Sequence, residues 1–186
     1  MLFRRSMLIA GVRKTTWRFN PADKNASIVL TNGDRTITQS SGGATGVRGT
    51  TSKSSGKWYT EIRYDGVFGA GAFGFGTSGH SLNGDVGSGT GFGYSAGGTV
   101  SVNGSTLATL AQYASGTVIG VAVDFAALKV WFSANGVWLS GNPVTGSGGY
   151  SFTAGTYFPM ASIASTGGYT ILDALAYSPP SGFGGF

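Results

Sequence analysis

The chain contains no cysteine. That excludes a disulfide scaffold, a thiolate nucleophile and a thiolate metal site, and it favours a reducing compartment or a particle assembled in one. Histidine occurs once, at His80, and glutamate once, at Glu61. Charged residues make up only 10% of the chain. A glycosidase needs two carboxylates roughly 5–10 Å apart, and no acid pair stands out. Long apolar runs are also missing. No stretch approaches the roughly 20 apolar residues of a transmembrane helix. The run Met7–Val12 is shorter than the apolar core of a secretory signal, and Arg13 and Lys14 follow it without a small-residue cleavage site. We read it as neither signal nor anchor. Strong helix formers are scarce outside short alanine clusters, so a helix bundle is excluded.

What is present is glycine, 34 residues of 186, with 13% aromatic and 41% hydrophobic residues. The aromatic content opposes disorder. The glycines follow no collagen period, so they read as turns, bulges and tight loops between short strands. The length suits one domain with a sizeable core. The net charge of +5 is uneven. Six cations within residues 1–24 face Asp23 alone, while six cations and six acids balance in the remainder. A basic leader thus precedes a neutral body, which argues against nucleic-acid binding by the body.

Period-two alternation and β-branched or aromatic runs place the strands. Residues 27–30 and 35–38 flank Asn32-Gly33, 99–102 and 106–110 flank Asn103-Gly104, and 129–133 and 137–139 flank Asn135-Gly136. Each Asn-Gly pair predicts a type I′ hairpin turn. Residues 117–123 form a nearly continuous apolar run and read as a central strand, with Asp124 capping the turn that follows. In residues 57–64, Trp58, Thr60, Ile62 and Tyr64 alternate with Lys57, Tyr59, Glu61 and Arg63. That pattern predicts one wet, charged face, with Glu61 a paired surface carboxylate. Trp58 and Trp131 are expected in the core. The glycine-interleaved segments 73–75 and 91–94 predict strands against which something packs closely. About a dozen short strands with frequent turns mean a sandwich or barrel, and no fixed internal repeat supports a propeller or solenoid.

Several motifs carry a family resemblance. Gly56–Ile62 (GKWYTEI) resembles the GKWYxEV strand of SPRY domains. Ile119–Asp124 (IGVAVD) and Lys129–Trp138 (KVWFSANGVW) resemble that family's GVAVD and KVWFSxNGxW centre, and Tyr157–Pro159 its xYP strand. The resemblance covers roughly residues 17–183. It implies an all-β, antiparallel two-sheet β-sandwich, a SPRY or concanavalin-like jelly roll, over residues 17–186, with a short basic N-terminal arm at 1–16. Ala126–Leu128 replaces the family's glycine-containing turn, and Leu172–Leu175 replaces its NFG strand end. A narrower set, Asn20–Lys24, Ser54–Tyr59, Ser140–Pro143 and Ala176–Phe183, is similar to SPRY-like proteins encoded by tailed bacteriophages.

The chemistry of the residues points to binding. The serines and Asp85 around His80 are neighbours on one loop, whereas a triad is a matter of geometry. Asn83 and Asp85 match no EF-hand spacing. The glycine spacing at 69–74 continues into a strand, not a helix, so it is no nucleotide loop. Sugars and peptides are gripped by exposed aromatics beside Asn, Asp and backbone groups. The candidate ligand-binding residues are Tyr64, Asp65, His80, Asn83, Asp85, Trp138, Asn142 and Tyr150, with Phe68 and Tyr113 beside them. The loops 64–72, 79–90 and 140–152 are expected to form one shared site. Arg4, Arg5, Arg13 and Lys14 are candidate particle-anchoring residues. The expectation is a non-enzymatic bacteriophage virion accessory protein of the tail-fibre or receptor-binding type. It would recognise a host-surface glycan or protein and need no cofactor or metal. The alternative is a capsid or tail decoration protein held by its arm. Either would be assembled in the bacterial cytoplasm, be present as a homo-oligomer or in many copies, contact other virion proteins, and insert into no membrane.

Overall fold

The structure is a computed structural model that describes residues 14–39, 42–67 and 70–186. Its strands, numbered in chain order, build two large sheets and one small ribbon. Sheet I runs β1 (Phe19–Lys24), β4 (Thr45–Gly49), β16 (Phe158–Ile163), β6 (Gly71–Gly76), β7 (Gly91–Ser95), β8 (Thr99–Val102) and β9 (Ser105–Thr109). Sheet II runs β12 (Val137–Trp138), β11 (Lys129–Ala134), β10 (Val118–Asp124), β5 (Lys57–Tyr64), β17 (Gly168–Thr170), β3 (Thr36–Gln39) and β2 (Ile28–Thr31). Two short strands lie off that path, β15 (Tyr150–Ser151) on β11 and β18 (Gly184–Gly185) on β5. β13 (Gly141–Asn142) and β14 (Ser147–Gly148) form the ribbon. The pairings are antiparallel except β18, which joins β5 in parallel. The fold is the expected two-sheet β-sandwich.

Period two explains the layers. In β6 and β7, Phe73, Phe75, Phe92 and Tyr94 point between the sheets while Gly74, Gly76, Gly91 and Gly93 point outward. Trp17, Phe19, Ile62, Tyr64, Val121, Phe132 and Tyr169 complete the inner layer. Trp17 stacks on Phe73 at 6.2 Å and 7°, and its Nε1 donates to Thr60 Oγ1 at 2.9 Å. Each such buried side chain contributes about 1.5–3 kcal/mol of transfer free energy. The central register of sheet II is β5 against β10, from Lys57↔Asp124 to Arg63↔Val118.

Two of the three Asn-Gly turns are as expected. Asn103-Gly104 and Asn135-Gly136 are two-residue loops with positive φ at both positions, 50° and 81°, then 48° and 77°. The first hairpin forms, but Thr31 pairs with Thr36, so its loop has four residues. Asn32, Gly33 and Asp34 are all left-handed there. The turn is widened by bonds to the entering chain: Arg18 Nη1 donates to Gly33 O, and Phe19 N to Asp34 O. Asp124 caps its turn as expected, its Oδ1 accepting from Ala126 N and Ala127 N at 3.0 Å. Strands β1, β4 and β18 carry no clear alternation and escape the sequence reading.

The predicted wet face of β5 is not wet. Residues 172–183 leave sheet II after β17 and cross its outer face, and β18 returns to pair with Trp58 and Tyr59. Glu61 is fully buried beneath this strap. Lys57 pairs instead with Asp124 at 3.0 Å, and Arg63 with Asp65 at 2.6 Å. Trp131 is buried, but on this outer face, against Tyr59, Ala122 and Phe183, not between the sheets. Trp58 is only half-buried, under the Lys53 ammonium 3.7 Å from its ring centroid.

Candidate functional site

The eight candidate residues fall into three separate places. Tyr64 and Asp65 end β5. Tyr64 is wholly buried and its hydroxyl donates to Val67 O. Asp65 accepts from Arg63 and from Thr170 Oγ1 at 2.5 Å. Both are structural. Tyr113 is buried as well, its hydroxyl bonded to Tyr94 O and to the Tyr169 hydroxyl. Phe68 lies outside the described residues, as do Arg4, Arg5 and Arg13. Lys14 is exposed and bridges to Ala174.

The loop with His80, Asn83 and Asp85 lies across the outer face of sheet I. Val86 N donates to Ser162 Oγ, which donates to Asp85 Oδ1, and Leu82 O accepts from Gly46 N. His80 is only 3% exposed. Its Nδ1–H donates to Ser81 O at 2.7 Å, and its Nε2 has no partner. Burial, with the Arg48 guanidinium nearby, holds the imidazole below its ordinary value despite the Ser81 bond. Arg48 clamps this loop: Nη1 donates to His80 O at 2.6 Å, while Nε and Nη2 grip Asp23 at 2.8 Å. His80 is therefore a neutral packing residue. Asn83 and Asp85 are exposed.

Trp138, Asn142 and Tyr150 border the far edge of sheet II. Tyr150 pairs with Val130, which is level with Val123 and Trp58. Tyr64 is six residues further along β5, about 20 Å away at the strand rise. The loops at 64–72 and 140–152 thus sit at opposite ends of the sheet and share no site. Asn142 spends its Oδ1 on Val144 N at 2.9 Å. Tyr150 faces inward onto Phe132.

Around Trp138 the structure assembles a surface that the sequence reading missed in part. Trp138 is opposite Ser133 and points outward, its ring 6.0 Å and 63° from that of Tyr59. Val137 beside it is 65% exposed, and Tyr177 from the strap is 37% exposed. Gly136 carries no side chain where the Tyr177 ring passes, since a Cβ there would stand 2.5 Å from Cδ1. Beneath lies a buried polar group. The Tyr59 hydroxyl donates to Glu61 Oε1 at 2.6 Å, Tyr177 N to the same oxygen at 3.0 Å, and Ala176 N to Oε2 at 2.6 Å. Burial pushes the Glu61 carboxyl up against the pull of these three donors. Burial and Glu61 together push the Tyr59 phenol far above its usual range. The signals were the lone glutamate two residues after Tyr59 on one strand face and the Phe183-Gly-Gly-Phe186 segment. Neither reveals its partner without the fold.

Among the described residues, no group of three or more His, Asp or Glu could hold a metal ion, and no helix is long and apolar enough to cross a membrane. The chain superposes on the SPRY domain of human HERC1 with a TM-score of 0.70 at 20% identity, covering 86% of this chain and 99% of that one. The fold is that of a SPRY domain. The TRIM65 PSpry domain is similar at TM-score 0.66 and 17% identity, over 86% of this chain and 93% of that one. The chain is also similar to stonustoxin, at TM-score 0.63 and 17% identity, over 86% of this chain but 27% of the toxin chain. No family model and no curated protein sequence matches the chain.

Proposed function

We propose that the chain is a non-catalytic binding module that docks a protein partner through the surface formed by Val137, Trp138 and Tyr177. The observation that carries this is the exposure of Val137 on the β11–β12 hairpin and of Tyr177 on the strap, whose ring passes over Gly136 in that hairpin's turn. Apolar groups gathered on an otherwise solvated surface mark interaction sites, and aromatic anchors dominate their energetics. The SPRY-type fold supports the same reading. So does the chemistry of the candidate residues: His80 is neutral and packed, and Glu61 is sealed beneath the strap.

The setting we propose is a virion, where the module is an accessory protein recognising a host-surface protein or glycan. This rests on the motif similarity to phage-encoded SPRY-like proteins. In the decoration alternative, Arg4, Arg5, Arg13 and Lys14 hold it to the particle. The test is binding of the purified chain to host-surface proteins and to a glycan array read for both capture and turnover. A Val137→Asp variant should fold normally and lose about tenfold or more in affinity, a change of about 1.4 kcal/mol. Equal capture by this variant would move the docking surface elsewhere, and turnover of any array member would overturn the non-catalytic reading.

A further inference from the structure

The strap that covers the outer face of sheet II is held in the ways a bound peptide is held. From the strap, Glu61 takes two successive backbone N–H groups, those of Ala176 and Tyr177, and no side-chain donor. Phe183 is buried in an aromatic slot, edge-on to Trp131 at 6.4 Å and 89°, with the Lys57 ammonium 5.6 Å from its ring. Gly184 and Gly185 then add a parallel strand to β5, and Phe186 N donates to Tyr59 O. Backbone capture, an aromatic pocket and strand addition are modes of peptide recognition.

The face is more polar than its cover requires. The Ser133 hydroxyl belongs to a residue 1% exposed and meets no hydrogen-bond partner of good geometry. A core face covered permanently by its own chain has no use for a buried carboxylate, whose desolvation is unfavourable. A face that is covered part of the time has one: Glu61 is hydrated when it is open and bonded to peptide N–H groups when it is filled.

We propose that the outer face of sheet II is a docking site for an extended, uncharged peptide segment, filled in cis by residues 174–186 and in trans by the same segment of a second copy of the chain. The proposal goes beyond the binding-module reading and stands without it. A second copy is the occupant because it presents the one sequence the site already accommodates. Residues 174–186 carry no charged side chain, so exchange separates no ion pair within the segment. The hinge is at Leu172 and Asp173, where the strap leaves the sheet. The Asp173 side chain there is almost fully exposed, and it pairs with Arg35 at 3.2 Å. An exchanged segment makes the contacts of the closed monomer again, which makes swapping a low-cost route to a dimer.

The test mixes the full chain with a 15N-labelled full chain over a range of concentrations and reads mass by native mass spectrometry. Mixed dimers should grow with concentration and be lost in Phe183→Ala. In parallel, a synthetic peptide of residues 174–186 is added to the full chain and amide exchange is followed at Ala176 and Tyr177. A saturating peptide should speed exchange there by about tenfold while the β5–β10 amides stay protected. A peptide carrying Phe183→Ala should not. This arm needs no altered protein, so it stands even if the Phe183→Ala chain fails to fold. Monomer at every concentration with peptide-indifferent exchange overturns the proposal, and so does a dimer that persists in a folded Phe183→Ala chain.

Discussion

The two outer faces of the sandwich solve one problem in opposite ways. Each sheet must cover its outward side. Sheet I does so by subtraction. Gly46, Gly74, Gly76, Gly91 and Gly93 leave its face nearly bare, and the loop at 77–90 lies directly on the backbone, pinned by Arg48. Sheet II does so by addition. Tyr59, Trp131 and Trp138 stand out from it, and a strap reaches over them to bond Glu61. The first cover is close and steric. The second is bulky and polar, and it leaves Val137 and Tyr177 at the surface. A glycine-lined face tolerates no added atom, whereas an aromatic face with a polar centre can accommodate a different occupant. Functional reading therefore belongs on sheet II.

The largest test of this contrast is at Gly74. A Cβ there would stand 2.0 Å from the Phe92 carbonyl oxygen and 2.6 Å from Gly93 Cα, so adjacent strands would have to part. Gly74→Ala should cost about 3 kcal/mol, at the upper end of overpacking effects, read from the denaturant midpoint. Gly89→Ala is the control on the same covering loop, since its Cβ would meet His80 Cδ2 at an ordinary 3.7 Å. Equal effects from the two would show that this cover is not held by close approach.

On sheet II the matching test is Glu61→Gln. The amide oxygen can serve Tyr59 and Tyr177, but its NH2 would then face the Ala176 N–H. Leaving that donor unpaired should cost about 1–3 kcal/mol. The pH response should change too. A carboxyl raised in the fold contributes stability that is full below its ordinary value of 4.5 and is lost as pH climbs through the folded value. The Gln variant should lose that decline in a series of thermal melts. An unchanged pH profile would mean that the strap does not desolvate Glu61.

Much of this was legible in the sequence because period two and Asn-Gly turns are local. The alternation of Phe73, Phe75, Phe92 and Tyr94 with glycines announced both a core face and a close approach. The apolar run 117–123 falls in the inner strand β10 (Val118–Asp124), as its apolarity required. What stayed hidden was long-range. Lys57, Glu61 and Arg63 read as a solvated row because the strand itself cannot say that residues 176 and 177 cover it. His80, on a polar loop, read as a ligand residue, yet Arg48 draws that loop down onto the sheet. Only the register shows that Tyr64 and Tyr150 lie at opposite ends of one sheet.

His80 offers a subtler test of the first cover. Its imidazole is held below the ordinary 6.5 by burial and by Arg48, against the Ser81 bond. The groups facing it are Arg48 and, through Arg48, Asp23. In the window just below 6.5 the unfolded chain binds a proton that the folded chain refuses. Stability is therefore present above that value and lost as pH falls through it. His80→Gln should flatten this slope between neutral and mildly acid pH in urea titrations, while leaving the Glu61-linked slope on sheet II intact. One slope removed by either substitution alone would show that the two covers are coupled.

The smallest expected effect is at Ser133, and it sharpens the contrast most directly. Its hydroxyl is buried over Gly120 beside the Tyr59 hydroxyl, in a contact that falls short of good hydrogen-bond geometry. An unpaired buried hydroxyl costs on the order of 1 kcal/mol or more. Ser133→Ala removes it and opens little space, so the closed monomer should gain about 1 kcal/mol in urea denaturation. A merely structural cover would be improved by that change and nothing else would follow. If the face also opens to accept a second segment, the same variant should hold its own strap more tightly, slowing exchange at Ala176 and Tyr177 and lowering the mixed-dimer fraction. A stability gain without those two changes would leave sheet II as closed as sheet I, its strap a fixed part of the core.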